Sequence, residues 1–283
     1  GSIDGVARAK GELFAAMRPD TVAAVNYDDD HVLKLSRKSE KSIGFACTPS
    51  GYRHNPFVRA SRILDGGARG MRFTLHIGEW QERINISVPG MHNVSNCLAA
   101  AAMAYAAGVS PESISTALSE FQSADKRMQM MTLSGGVRVL NDCYNANPSS
   151  MAAALRTVSG FGRDCRRIAL LGDMLELGAE AETAHAEVGR QAAELGYDYL
   201  AVTGDFAEQV ALGARQAGMA EERVHVFPDT YSLADWLYQE MIRAGIRADD
   251  WLLLKGSRGM RMETVLQEIE QRFAIGINKK ECR

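Results

Sequence analysis

No run of this sequence comes near the roughly 20 consecutive apolar residues that a membrane-crossing helix needs, although apolar residues make up 46% of the 283. The opening GSIDGVARAKGELF also lacks the apolar stretch of a secretory leader. Cysteine is sparse: Cys47, Cys97, Cys143, Cys165 and Cys282 are odd in number, scattered, and include no C-x-x-C pair. That spacing fits neither a disulfide framework nor a zinc cage, so a reducing compartment, the cytoplasm, is expected. Basic residues are not in excess, 32 against 35 acidic, for a net charge of −3. The basic stripe of a nucleic-acid binder is missing, and neither a nucleic-acid partner nor membrane insertion is expected. There is no G-x-x-x-x-G-K-[ST] phosphate loop, and no G-x-G-x-x-G follows a strand-like run. The second absence counts against a nicotinamide-dependent oxidoreductase.

The length favours two domains or one large one. Val6 to Met17 reads as a helix, VAAVNYDD as a buried strand ending in an acidic loop, His31 to Ser36 as a helix and SIGFACT as a strand. Period-two alternation puts Met71, Phe73, Leu75 and Ile77 on one face, followed by Ile84, Ile86 and Val88, which predicts an antiparallel hairpin. Helices are expected over Asn93–Ala107 and Pro111–Phe121. The polar SADKRMQ marks a boundary, giving domains 1–125 and 126–283. A second hairpin is expected around Gly135-Gly136, with the Met-rich RMQMMTL as its core. Beyond it, RRIALLGD, YDYLAVTGD, RVHVFPD and DDWLLLKGS are short apolar runs separated by helical sequence. That alternation predicts βαβ units and a doubly wound, mostly parallel sheet, so the fold class is α/β.

In open sheets of this kind ligands sit beyond the carboxyl ends of the strands. The rule selects Gly172-Asp173, Gly204-Asp205 and Gly256-Ser257-Arg258, together with NDCYNANP after the strand GVRVLND. Gly, Asp and Ser are also ordinary helix-capping residues, and Pro148 suits a helix start. A plain turn nevertheless does not need Asp142, Tyr144, Asn145 and Asn147 together. Their surplus polarity points to a ligand.

VARAKGELF, PGMHNVSNCLAAAAMA, DCYNANPSSMAAAL, LLGDMLELG and LLKGSRGMRME together resemble the Mur ligase family, most closely its D-alanyl-D-alanine-adding branch. The resemblance runs from about Gly5 to Phe273. HNVSN is shared with folylpolyglutamate ligases, whereas YNANP and LGDMLELG are specific to that branch. It implies that 1–125 is the latter part of a central α/β ATPase domain and 126–283 a Rossmann-like domain binding the incoming dipeptide. The family's Gly-Lys-Thr/Ser loop, N-terminal domain and upstream metal-binding acid and histidine are not found. The sequence is therefore expected to be a fragment, inactive alone. The implied reaction joins D-alanyl-D-alanine to UDP-N-acetylmuramoyl-tripeptide in peptidoglycan precursor synthesis, with ATP and Mg2+, and a monomer is expected.

The resemblance also assigns residues. Lys10 matches a lysine that relatives carbamylate into a magnesium ligand, an oxygen donor suited to a hard cation; otherwise it is an exposed helix lysine. His92, Asn93 and Asn96 fall in the first turn of a helix, with Asn96 placed near adenine and Asn93 equally able to cap. Arg127 matches an arginine reaching the ATP phosphates, a task suited to a permanently charged fork. Asp142 is assigned to the ribose and Tyr144 to packing on the nucleotide. Asn145 and Asn147 are assigned to substrate amide and carboxylate groups. Asp173, Ser257 and Arg258 are assigned to the incoming dipeptide, with Glu263 an alternative partner for Arg258. His185 reads as a packing residue on an apolar helix stripe. The competing readings are another Mur-type or folylpolyglutamate-type ligase and a non-catalytic peptide- or nucleotide-binding module.

Overall fold

The computed structural model describes residues 3–37, 39–122, 125–133, 136–161, 165–243, 245 and 250–281. Two compact units form, Gly1–Gln122 and Ser123–Arg283. Some residues of the SADKRMQ stretch, Gly135 of the second hairpin turn, and Cys282 lie outside the described residues.

The first unit runs α1 (Ile3–Ala16), β1 (Val22–Asn26), α2 (Asp30–Ser36), β2 (Lys41–Ala46), α3 (Pro49–Tyr52), β3 (Val58–Asp65), β4 (Met71–Ile77), β5 (Trp80–Ile86), α4 (Met91–Ala106) and α5 (Pro111–Ser119). Local chemistry sets several starts. Asp29 caps α2 by accepting from the His31 and Val32 N–H groups, and Ser110 caps α5 with Pro111 as its first helical residue. The expected hairpin is β4–β5, with Met71 opposite Ile86 and Phe73 opposite Ile84. Those side chains are buried with Val94, Leu98 and Ala101 of α4 and Ile114 of α5.

One strand was not expected. β3 pairs parallel with β2 and antiparallel with β4, so the hairpin extends the parallel pair into one sheet of order β1-β2-β3-β4-β5. Its polar Arg59, Ser61 and Arg62, and a bulge between Ser61 and Leu64, break the alternation a sequence reading relies on.

The second unit contains β6 (Gln129–Thr132), β7 (Arg138–Asp142), α6 (Pro148–Ser159), β8 (Arg167–Leu171), α7 (Ala181–Glu194), β9 (Tyr199–Thr203), α8 (Ala207–Gln216), β10 (Val224–Phe227), α9 (Thr230–Arg243), β11 (Trp251–Lys255) and α10 (Glu263–Glu281). Its sheet has the order β10-β9-β8-β11-β7-β6, parallel except for the antiparallel β6 at one edge. The doubly wound α/β expectation holds. After β7 the chain passes to β8, moves outward through β9 and β10, and returns with β11 between β8 and β7. The order therefore reverses around β11, and the turns after β7, β8 and β11 share one end of the sheet. That is the switch point where such sheets place ligands. All five residues of β11 are buried, as both-face coverage requires.

Candidate functional site

The three turns at this switch point are tied together by backbone and side-chain hydrogen bonds. Gly172 N donates to Lys255 O at 2.8 Å, and Ser257 N to Asp173 O at 2.9 Å. Ser257 Oγ accepts from Leu175 N at 2.9 Å and reaches Ala146 O at 3.5 Å. Gly256 permits the approach, because a Cβ there would lie 3.2 Å from Gly172 Cα.

At the centre is a residue the sequence reading passed over. Lys255, 1% exposed, donates from Nζ to Asp142 Oδ2 at 2.5 Å, Asn145 O at 3.0 Å and Asp142 O at 3.3 Å. An ammonium has three donors, and each finds an acceptor in NDCYNANP. Asp142 Oδ1 accepts from Met128 N at 3.0 Å. The carboxylate expected to meet a ribose thus clamps its own turn to β11 and to the 126–128 segment. Lys126 and Met128 in that segment both have left-handed backbones, φ 59 and 48. Such conformations persist in non-glycine residues only where neighbours fix them. Tyr144 N also donates to Lys126 O at 3.0 Å, closing the connection.

The side chains left facing outward form a cleft of about 410 Å³ lined by Asp125, Lys126, Arg127, Tyr144 and Arg258. The Arg127 guanidinium sits 3.9 Å over the ring of Tyr144, an attraction between cation and π face. Glu263, at the start of α10, takes Lys126 at 3.0 Å and Arg258 at 2.6 Å. Burial pushes the Glu263 carboxyl up, but its own backbone N–H, Lys126 and Arg258 outweigh that and hold it below its ordinary value. Among the described residues Arg127 forms no ion pair, unlike Lys126 and Arg258, although Asp125 lines the same cleft. Cys143 lies beneath, fully buried, its thiol pushed up to about 12 by burial and by Glu263. It is a packing residue, not a nucleophile. Two larger grooves, of about 670 and 650 Å³, lie between α7 and α8 and beside β10 and α9. Neither gathers three cations, so chemistry rather than size selects the smaller cleft.

Other expected site residues are placed differently. Asp173 is 3% exposed and accepts from Asp205 N at 2.7 Å and Phe206 N at 3.2 Å. Gly204, φ 126, makes room, since a Cβ there would fall 2.4 Å from that carboxylate. Asp173 therefore braces the β9–α8 turn instead of facing a dipeptide, and Ser257 is equally internal. Asn147 caps α6, its Oδ1 accepting from Ser150 N at 2.9 Å, and Asn145 Oδ1 accepts from Ala146 N at 2.9 Å. Both remain exposed. His185 accepts from Met174 N at 2.9 Å through Nε2, which leaves Nδ1 as the donor to Ala181 O at 2.7 Å. It is a neutral packing residue, stacked on Phe206.

In the first unit, Gly90, φ 95, turns the chain into α4. Asn93 Nδ2 donates to Pro89 O at 2.7 Å, and Asn96 Nδ2 points to Asn93 Oδ1 at 3.4 Å. Asn93 is thus spent on its own turn, Asn96 lies one turn on, and His92 is half-buried beside them. Lys10 is exposed on α1, which packs on α2. Among the described residues no group of three His, Cys, Asp or Glu side chains could hold a metal ion. No helix of the described chain is long and apolar enough to cross a membrane.

Residues 1–104 match the family described as Mur ligase middle domain, and residues 126–258 that described as Mur ligase, glutamate ligase domain. The chain is 28% identical over 274 residues to the UDP-N-acetylmuramoyl-tripeptide--D-alanyl-D-alanine ligase of Escherichia coli, covering 96% of itself and 57% of that relative. It thus spans little more than half the length of the curated protein it matches. A crystal structure of MurF from Acinetobacter baumannii superposes with a TM-score of 0.81 at 27% identity, over 96% of this chain and 56% of the other. The fold also matches that of the MurF ligase of Thermotoga maritima in complex with ADP, with a TM-score of 0.78 at 18% identity, over 96% of this chain and 58% of the other. With both units matched in turn, and the cation-lined switch point lying inside the second match, this chain belongs to the Mur ligase family.

Proposed function

We propose that this chain carries the dipeptide-joining portion, and a share of the ATPase portion, of a ligase that adds D-alanyl-D-alanine to UDP-N-acetylmuramoyl-tripeptide. The observation that carries the reading is the cleft at the switch point, where Arg127, Lys126 and Arg258 meet Tyr144. A peptide carboxylate oxygen attacks the terminal phosphorus of ATP, ADP leaves, and an acyl phosphate forms. The dipeptide amine then attacks the acyl carbon, phosphate departs, and the nitrogen loses a proton to give the amide. Both steps develop negative charge on oxygen, which preorganised cations stabilise. Arg127 is assigned to phosphate oxygens and Arg258 to the dipeptide carboxylate, each through a paired guanidinium contact. Tyr144 offers a π face to the nucleotide, and Asn145 and Asn147 offer amide groups to the substrate.

In the first unit, Asn96 and His92 are assigned to the nucleotide base end. A carbamylated Lys10 would supply one oxygen to Mg2+, but one ligand is not a site, and the described residues add no cluster to complete it. No step is routed through that ion. A cytoplasmic monomer is the working assignment.

The test is ADP release with UDP-N-acetylmuramoyl-tripeptide and D-alanyl-D-alanine, on this chain and on a version extended to the full length of its relatives. Release is expected only from the extended form, since no phosphate loop occurs in this sequence. L-alanine, meso-diaminopimelate and glutamate serve as competing amines, and preference for any of them replaces the proposed substrate. Silence from both forms would leave a binding module without this chemistry.

A further inference from the structure

The sheet of the first unit buries Val58, Ala60, Phe73 and Leu75 with α4 and α5. The register gathers a different set on its other face. Arg59 stands opposite His76 and Ser61 opposite Thr74, while His76 is flanked by Gln81 and Thr74 by Arg83. Leu64 opposes Arg72, which stands opposite Asn85 and donates to it at 2.8 Å. Arg62 is thrown out at the bulge with a left-handed backbone, φ 52. Four arginines thus share one strand face, and among the described residues none forms an ion pair. The hairpin's carboxylates lie elsewhere, Glu79 in the turn and Glu82 opposite Leu75.

Within this set is a nucleus with defined geometry. Ser61 Oγ lies 2.7 Å from His76 Nε2, and His76 is 8% exposed. Burial first, then the charges of Arg59 and Arg62, hold the imidazole below its ordinary pKa. At neutral pH it is uncharged, and in the tautomer protonated at Nδ1 its Nε2 accepts the Ser61 hydroxyl. The sheet ladder sets Arg59 directly opposite His76 on the neighbouring strand. Tyr52 of α3, which donates to Ala60 O, lies near Arg59 without adding a negative charge at neutral pH.

We propose that Arg59, Ser61, Arg62 and His76 form a proton-coupled site for a phosphate-type oxyanion. The two guanidinium groups supply charge and paired donors. An anion between them reverses the local field, and His76 takes one proton from solvent at Nε2. The imidazolium then donates to Ser61 Oγ, and the freed Ser61 hydroxyl turns its hydrogen to an anion oxygen. No covalent bond to the anion forms or breaks, and the single proton is accounted for. Linkage makes the effect reciprocal: anion binding raises the His76 pKa, and protonation tightens the anion by the same factor. Affinity should therefore rise as pH falls from neutral through the titration of His76, and level off once His76 is charged in both states.

The test needs only this chain and does not depend on the ligase reading, so either can fail alone. The His76 imidazole resonances, assigned with His76→Gln, are followed by NMR between about pH 5 and 8, near the ordinary histidine value. Sodium sulfate, which does not titrate in this range, is compared with sodium chloride at equal ionic strength. Sulfate is expected to raise the His76 pKa by about one unit, a tenfold coupling, with proton uptake seen by calorimetry. Arg59→Gln and Arg62→Gln should each lose most of that shift, while Ser61→Ala keeps the anion but weakens the coupling. Equal shifts in chloride and sulfate would mean simple screening and overturn the proposal. Unchanged sulfate binding by a folded Arg59→Gln variant would do so as well. Inorganic phosphate and a nucleoside diphosphate then identify the source: tighter binding of the diphosphate assigns the site to nucleotide phosphates, and equal binding to free phosphate.

Discussion

Lys255 and Asp142 decide whether the NDCYNANP turn keeps its shape. Lys255 is buried with all three donors used, and the side chain of Asp142 is only 14% exposed. Removing one partner of such a pair leaves a desolvated charge, which costs about 3–5 kcal/mol, whereas removing both leaves none. Lys255→Met and Asp142→Asn are each expected to destabilise by about that amount, and the double variant by well under their sum. Urea unfolding of the four proteins measures this, and additive effects would show that the pair is not coupled. At this scale the sequence was half legible. Polar surplus in the turns after strands singles out Asp142, Tyr144 and Arg258, whereas Arg127 stands out only through the family resemblance; of these, Asp142 is held by Lys255 and Met128 N and does not face outward. Lys255 was missed because it ends an apolar run and resembles any strand-end lysine. Asp173 was misplaced for the converse reason: Gly-Asp after a strand reads the same whether the acid faces a ligand or braces the neighbouring turn. The burial of Asp173, the Asp205 and Phe206 N–H groups it accepts from, and the room left by Gly204 distinguish the two.

Where α7 packs on α8, glycines allow the two backbones to meet. A Cβ on Gly189 would lie 1.8 Å from Val210 O, and one on Gly213 would lie 1.9 Å from Ala186 O. Helix propensity alone says that Gly→Ala in a helix interior stabilises by about 1 kcal/mol. Contact geometry says the opposite, because a methyl forced onto backbone must push the helices apart, and overpacking costs typically about 1–3 kcal/mol or more. The clash is with backbone carbonyls, so it should win. Gly189→Ala is expected to lower the urea midpoint at unchanged slope, and a raised midpoint would show that the helices are freer to shift than their packing indicates. The parallel strands of the second unit are legible because burial on both faces demands unbroken apolar runs such as the WLLL of β11. β3 was not, since Arg59, Ser61 and Arg62 belong to a face uncovered by α4 or α5 and a bulge shifts the period. The feature that hid the strand is the one that assembles the arginine face.

At the scale of the whole molecule, a net charge of −3 conceals local concentrations of positive charge, one in each unit. In the second unit the three rim cations are not equivalent. Lys126 and Arg258 both lean on Glu263, so much of their charge is already answered. Arg127 rests on the face of Tyr144, which orients the guanidinium without neutralising it, and among the described residues it forms no ion pair. An incoming phosphate therefore gains most from Arg127. In a version extended to the length of the relatives, Arg127→Gln is expected to lower kcat for ADP release by about 10²–10³-fold, the cost of removing one preorganised donor to a developing oxyanion. Lys126→Gln should cost much less, because Glu263 retains Arg258 as its partner. Tyr144→Leu should fall between them, leaving the charge but not its aim. Steady-state kinetics with all three substrates separates the cases. A loss confined to the KM for ATP would place Arg127 in ground-state binding, and equal losses for Arg127→Gln and Lys126→Gln would mean that ligand binding releases Lys126 from Glu263. The arginine then acts in the chemical step only if kcat falls while Lys126 stays paired.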